Sequence, residues 1–557
     1  MALAVLILSY IVVNVWWLHV DARIPIYDTA WHFVSSLGAW EMLTHLSVES
    51  MKHFALYAFQ PPLVGILVRP FYFLFGTNID AATLGMVIVF VPILAVSVYK
   101  TISILVNNRR LALLGVFSLM CYPGIFFFSR FYLLDLPLTA MVSLAIYLLL
   151  RSDNFDNLAY SLYFAVAAAL GMLTKAVFFV YLTLPFLFTI LFVRSRRQFL
   201  HLILSAVVFV IPTFLWYFVT RNEFLLYFNE VFLKPKLAPF PVFAFLFFVV
   251  LWLPLRRFKN IIFGILFAIL IFSLLLNKSW LGMLGKRSDY FLVQYSNNLI
   301  GFGGLIAYLI SLILLWRLAL SVPKKVMLAL WALSPLFVFY YSDCTRYLLP
   351  TLPAVAVLII VVLSYLSRNK QIFMQLLLYL NAIFVFVICT WNIGFLPQHV
   401  TLFKKSNIEI INATPTFEDY GPPQPKEKEK EWALEEFIKT VKEQNMKPGS
   451  VVWLLPAAKF YGTGPLNYYS EVDKLGVEFW GLILNKFDND VVKILSDPKY
   501  RYFLDVEGFK FLQNRNWKNK LAQARNYLKE HTEEFEIIFK HELPGNEQVV
   551  LYKKVKP

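Results

Sequence analysis

Residues 347–366 read Tyr-Leu-Leu-Pro-Thr-Leu-Pro-Ala-Val-Ala-Val-Leu-Ile-Ile-Val-Val-Leu-Ser-Tyr-Leu, with no charge, entered from Arg346 and left through Ser367-Arg368-Asn369-Lys370. About 20 apolar residues are needed for a helix to cross the hydrocarbon core of a bilayer, so this stretch predicts a membrane span ending in a basic loop. Working outward, similar segments lie near 2–19, 80–102, 111–128, 136–150, 159–174, 176–193, 199–219, 241–255, 260–276, 298–316, 326–341 and 372–391. Composition agrees. Of 557 residues, 59% are hydrophobic and only 15% are charged, whereas soluble domains carry about 25% charge. This excludes an ordinary soluble enzyme, a disordered scaffold and a disulfide-rich secreted module. Cys121, Cys344 and Cys389 are too scattered for a disulfide framework or a zinc site. The expected fold is a polytopic α-helical membrane protein with thirteen spans.

A net charge of +16 invites a nucleic-acid reading, which its distribution argues against. Residues 392–557 hold 24 Lys+Arg and 23 Asp+Glu, a net +1, leaving 27 and 12, a net +15, to the first 391 residues. The basic excess thus belongs to the apolar part, where loops such as Asn107-Asn108-Arg109-Arg110, Arg194-Ser195-Arg196-Arg197, Arg256-Arg257-Phe258-Lys259 and Pro323-Lys324-Lys325 alternate with less basic ones. Basic loops stay cytoplasmic. No nucleic-acid partner is expected. The N-terminus is expected inside, and the C-terminal region outside, a cell (inner) membrane. Segment 2–19 lacks the basic start and small-residue cleavage site of a removed signal peptide and reads as a retained helix. Segment 61–76 is apolar too, but as a crossing it would invert the charge pattern; it reads as a re-entrant or interfacial helix.

The chain divides into a transmembrane domain, 1–391, with a first external loop at about 20–79; an extended linker, 392–431; and a small external α/β domain, 432–557. The linker carries Pro422-Pro423-Gln424-Pro425 followed by alternating Lys and Glu, a composition that stays solvated. In the last domain, strand-like runs at 450–455, 477–482, 500–505, 535–540 and 548–553 alternate with helical stretches around 464–474, 488–496 and 507–531.

Charge placed mid-membrane costs about 2.5–3.5 kcal/mol on insertion scales, so retained charges usually face a cavity or mark function. The first external loop contains Tyr27-Asp28-Thr29-Ala30-Trp31-His32, with Asp28 and His32 four apart and on one face of a helix. A short loop contains Ser129-Arg130-Phe131-Tyr132-Leu133-Leu134-Asp135-Leu136-Pro137. On spacing alone Asp28 reads first as a helix cap, and Asp135 can serve equally as a cap or in function. Lys175 and Arg346 are basic groups expected on the same side; the plainer reading of each is a snorkelling side chain, and Arg346 can also pair with Asp343. Carboxylates and cations gathered on the outer face suit a phosphorylated lipid reacting at its head group.

With these residues in view, the chain resembles the GT-C class of polyprenyl-phosphate-sugar glycosyltransferases, in the branch holding protein O-mannosyltransferases and the lipid A aminoarabinose transferase. The resemblance rests on Tyr27-Asp28-x-x-x-His32, Phe59-Gln60-Pro61-Pro62-Leu63, the stretch Arg130 to Pro137, Leu170-Gly171-Met172-Leu173-Thr174-Lys175 and Arg346-Tyr347-Leu348-Leu349-Pro350, in that order within residues 1–370. It implies transfer of a sugar from a polyprenyl-phosphate (undecaprenyl or dolichyl) donor to an external lipid, glycan or protein acceptor, with inversion. Asp28 would be the catalytic base or acceptor-orienting residue and Asp135 the second acidic residue. Tyr27, His32, Gln60, Arg130, Lys175, Arg346 and Tyr347 would bind substrate, the three cations stabilising the departing phosphate. The chain departs from many relatives in having Thr29 where a second acid follows the first, and Gln60 where a Lys precedes the Pro-Pro pair. The first departure argues against a divalent metal between adjacent carboxylates, and metal-independent catalysis without a cofactor is expected.

The alternative is a secondary transporter or lipid flippase. Such proteins often carry internal repeats and midplane charges, whereas the sequence shows no repeat and its acidic residues gather near the external face. A membrane anchor for a binding domain is a third reading, and thirteen spans are excessive for it.

Overall fold

The computed structural model describes residues 1–58, 60–222, 293–315, 345–391, 430–456, 460–482, 491–508 and 515–555, with shorter pieces at 225, 317–318, 320–321, 324–332, 401–405, 408–411 and 458. Spans expected at 241–255 and 260–276, and the end of that at 326–341, lie outside the described residues.

The first helices are α1 (Ala2–Val20), α2 (Tyr27–Thr44), α3 (Val48–Ala58), α4 (Leu63–Phe75), α5 (Ile79–Val106) and α6 (Arg109–Met120). They continue with α7 (Pro123–Phe128), α8 (Asp135–Arg151), α9 (Leu158–Thr174), α10 (Phe178–Ile190) and α11 (Arg196–Val219). After the undescribed stretch come α12 (Gly301–Leu315), α13 (Leu352–Ser364) and α14 (Arg368–Thr390). Among the described residues, five helical stretches are long and apolar enough to cross a membrane: Ala2–Val20, Ile79–Val106, Arg196–Val219, Thr345–Ser364 and Arg368–Val387. The chain is an integral membrane protein. Local chemistry ends helices at the basic loops. Asn107 leaves α5 with φ +53°, and the Asn108 side chain accepts from the Arg110 and Leu111 amides to start α6. Ser195 and Gln198 form a capping box on α11, each satisfying an otherwise unpaired end group.

Two expected spans are interrupted. The segment at 111–128 breaks into α6 and α7 at Cys121-Tyr122, because the residue before a proline is pushed out of the helical region and Tyr122 sits at ψ 132° ahead of Pro123. The segment at 298–316 opens as a π-helix, Gln294–Leu299, and becomes α-helical after Gly301, whose φ of +76° favours glycine.

The core is centred on α13, where every side chain from Leu352 to Leu363 is buried. In contrast, α1, α11 and α14 present exposed Leu, Val, Ile and Phe outward, as lipid-facing helices must. The expected interfacial segment forms α4, stopped by Gly76 at φ +86°. It packs on α2 so closely that a Cβ on Gly65 would stand 2.9 Å from the Ser36 Cα.

Within the stretch read as extended linker, β1 (Thr401–Lys405) and β2 (Ile408–Ile411) pair as an antiparallel hairpin. Beyond it lie α15 (Leu434–Glu443), β3 (Ser450–Leu454), α16 (Thr463–Val472), β4 (Val477–Gly481), α17 (Val491–Ser496) and β5 (Tyr502–Glu507). The chain then forms α18 (Arg515–Glu530), β6 (Phe535–Leu543) and β7 (Glu547–Lys554). One mixed sheet in the order β4-β3-β5-β7-β6 results, with β3 parallel to both neighbours and β7 antiparallel to both of its own. All five expected strands are present. Helix α15, missed in the sequence beside the charged run, buries Leu434, Phe437, Ile438 and Val441 against the sheet.

Candidate active site

Helix α2 buries Ala30, Phe33, Ser36, Ala39 and Met42 along one stripe, which turns Asp28 and His32 toward the ends of α8, α9 and the 3₁₀ turn Thr345–Thr351 ahead of α13. Asp28 does not cap α2: that place falls to Ile26, without a side-chain bond. Its carboxylate accepts from Arg346, Oδ2 to Nη1 2.5 Å. Asp135 opens α8 with no capping bond and takes Lys175 Nζ at 2.8 Å on Oδ1. Both partners of this second pair are enclosed, with side chains 0% and 4% exposed. Lys175 is therefore a buried ion-pair partner rather than a snorkelling side chain. Asp343, the other proposed partner of Arg346, lies outside the described residues.

Tyr347 joins the two pairs. Its ring lies 5.3 Å from Lys175 Nζ and 5.7 Å from the Arg346 guanidinium carbon, distances at which a ring face attracts a cation. Its carbonyl accepts the Tyr181 hydroxyl at 2.8 Å. Thr345, one residue before Arg346, donates to Gln294 Oε1 at 2.6 Å, anchoring the 3₁₀ turn to the π-helix. Asp28, Arg346, Tyr347, Lys175 and Asp135 thus form one continuous line, with a cation on each side of the aromatic ring and a carboxylate beyond each cation.

Burial pushes the Asp28 carboxyl up, but Arg346 foremost, with His32 and Lys175, outweighs it and holds the group below the usual carboxylate range. His32 goes the other way. Burial, reinforced by Lys175 and Arg346 against the pull of Asp28 and Asp135, lowers it to about 4, so its imidazole is neutral at neutral pH. His32 also lines, with Ser35, Gln60, Pro62 and Tyr132, a small cleft of about 20 Å³ between α2 and α4. Gln60 Oε1 is buried in this region without a hydrogen-bond partner among the described residues, as is Asp135 Oδ2. Each of these buried acceptors has room for one further donor.

Arg130 lies elsewhere. The turn after α7 aims it at α1 and α14, where its guanidinium stands 5.1 Å from the Trp17 ring and 4.7 Å from the Phe126 ring and donates to Thr390 Oγ1 at 2.8 Å. Tyr27, expected to bind substrate, is exposed at the start of α2. Tyr132, Ser35 and Gln294 were not singled out in the sequence. Tyr132 was within reach of it, since it sits in the same short loop as Asp135, whereas Gln294 falls in a polar run with no motif. Among the described residues, no group of three or more His, Cys, Asp and Glu side chains is placed to hold a metal ion.

Residues 59–217 match the family described as dolichyl-phosphate-mannose-protein mannosyltransferase. In fold, the chain is similar to the crystal structures of ArnT from Cupriavidus metallidurans, in the apo state (TM-score 0.51) and bound to undecaprenyl phosphate (TM-score 0.52). In each case 14% of residues are identical, and 98% of this chain and 97% of that one are covered. No curated protein matches in sequence. The family match covers less than a third of the chain, and the likeness to the ArnT structures shows a shared fold.

Proposed function

We propose that the protein moves a sugar from a polyprenyl-phosphate donor to an acceptor on the external face of the membrane, with inversion at the anomeric carbon. The observation that carries this reading is the paired arrangement of Asp28–Arg346 and Lys175–Asp135 around Tyr347. Two cations beside two carboxylates suit a reaction in which a phosphate departs and an acceptor arrives. The ArnT structure solved with undecaprenyl phosphate supports a lipid phosphate as the carrier.

In this reaction an acceptor oxygen or nitrogen attacks the anomeric carbon as the bond from that carbon to the phosphate oxygen breaks. The bonding pair leaves on the phosphate, and Arg346 and Lys175 stabilise the charge that develops there. Asp28, held ionised, accepts a hydrogen bond from the acceptor and takes its proton as the new bond forms. Arg346 is shared: paired with Asp28 in the free enzyme, it turns to the phosphate when the donor binds and frees the carboxylate for the acceptor. Asp135 keeps Lys175 in place. His32, neutral, and Gln60 hold sugar or acceptor hydroxyls. A polyprenyl-phosphate leaving group needs no general acid, and catalysis is metal-independent. The basic loops support an orientation with the N-terminus in the cytoplasm, and the site and C-terminal domain outside.

Binding of undecaprenyl phosphate to Arg346→Ala and Asp135→Asn/Lys175→Met proteins in nanodiscs tests the phosphate assignment. Each variant is expected to weaken binding at least about tenfold, the loss of one charge-assisted contact. Unchanged affinity in both would remove them from the phosphate site.

A further inference from the structure

The C-terminal domain touches the catalytic helix at a defined place. A Cβ built on Gly464, the second residue of α16, would stand 2.9 Å from the Tyr27 carbonyl oxygen and 3.4 Å from the Ala30 Cβ. One turn on, Tyr468 meets Phe33 edge-on with ring centroids 5.0 Å apart, and both are buried in the apolar cluster of the membrane part. Ile24, just ahead of α2, is buried in the opposite direction, within the core of the C-terminal domain. The two cores therefore interpenetrate on either side of Asp28. Tyr27, between them, adopts φ +45°, a left-handed backbone that a bulky residue keeps only where its surroundings over-determine it.

We infer that the C-terminal domain is a positioning element of the active site. Helix α16 clamps the first turn of α2 through Gly464 and Tyr468 and so fixes where the Asp28 carboxylate stands. The clamp follows from the packing alone; its catalytic consequence rests on the transfer reaction proposed above. Glycine is required at 464 because the backbones approach too closely for a methyl group, and the obstacle is a carbonyl oxygen, which cannot swing aside as a flexible side chain does. A domain that merely tethered an acceptor nearby would need neither the close approach nor the shared core.

Gly464→Ala separates the two roles. Alanine favours the helical state of α16 itself, so a weaker domain is not its expected effect, while its methyl collides with Tyr27. Tyr468→Ala removes the ring contact and Tyr468→Phe keeps it. The full-length protein in native membranes supplies two readouts: amide exchange over residues 24–36, with β3–β5 as internal reference, and transfer from a panel of undecaprenyl-phosphate-linked hexoses and pentoses. Gly464→Ala and Tyr468→Ala are expected to speed exchange over 24–36 with the reference strands unchanged. They should also lower kcat about 10- to 100-fold, the usual cost of misplacing a catalytic group by about 1 Å, with donor KM within about twofold, while Tyr468→Phe behaves as the parent does. Unchanged exchange in both variants would overturn the clamp, and so would faster exchange spread equally over β3–β5. Faster exchange over 24–36 with full kcat would overturn the positioning role. If the parent protein transferred no sugar from any donor, the proposed reaction would fall, and exchange alone would decide the clamp.

Discussion

Lys175→Met tests the buried half of the site most severely. The substitution keeps the length of the stem and removes the charge that lies 2.8 Å from Asp135 Oδ1. Asp135 is fully enclosed, and its second oxygen already lacks a partner. Stripping the lysine thus leaves a buried carboxylate without its cation. Breaking a buried pair from one side costs about 3–5 kcal/mol, whereas replacing both charges together is often close to neutral. Lys175→Met alone should therefore raise the unfolded population by two decades or more, since every 1.4 kcal/mol is about tenfold. The double variant Asp135→Asn/Lys175→Met should recover at least half of the lost stability. Denaturation in mixed micelles, followed by tryptophan fluorescence, measures all four corners of the cycle. Transfer should stay low in the double variant, because restoring the fold does not restore the cation. If Lys175→Met proved as stable as the parent, Asp135 would not depend on this ion pair, and the line of charge around Tyr347 would not be a single unit.

Other outcomes follow from the same geometry. In Arg346→Ala the burial that raises Asp28 loses its main opponent; activity that needs the carboxylate is lost as pH falls through its pKa, so the acid limb of the kcat/KM profile should move to higher pH, and Arg346→Lys should restore part of it. An acid limb that stays in place would detach Asp28 from the pH dependence. Arg130→Met removes a guanidinium packed on Trp17 and Phe126, and should lower thermal stability while leaving donor affinity within about twofold; a large loss of affinity would return Arg130 to the phosphate site. Stripping divalent ions with a chelator should leave the transfer rate unchanged, and a loss reversed by added Mg²⁺ or Mn²⁺ would refute metal-independent catalysis.

How far the site was legible in the sequence depended on cost. Asp28, Asp135, Lys175 and Arg346 stood out because charge is expensive in an apolar chain, and all four converge in the structure. Their pairing was not legible. From local spacing, Asp28 reads as a helix cap and Arg346 as a partner of Asp343, since nothing in a linear pattern says that the first turn of α2 meets the turn before α13. Arg130 shows the converse: a motif residue that packing directs to α1 and α14. The break at Tyr122-Pro123 was there to be read, because the proline rule is local, and hydropathy averaged over a window concealed it. Tyr468 belongs to the aromatic run from Phe460 to Tyr469, which reads more readily as domain core than as a sugar platform. Its place against Phe33 is set by docking between two cores, which no periodicity encodes.

The most direct measurement is transfer by Asp28→Asn in membranes supplied with a polyprenyl-phosphate sugar. Asparagine keeps the size of the side chain and its place beside Arg346 but takes no proton. The protein should accumulate normally, bind undecaprenyl phosphate as the parent does, and lose transfer by a factor of about 10² or more, the usual contribution of a positioned general base. Full transfer by Asp28→Asn, with the donor consumed at the rate of the parent, would contradict the account.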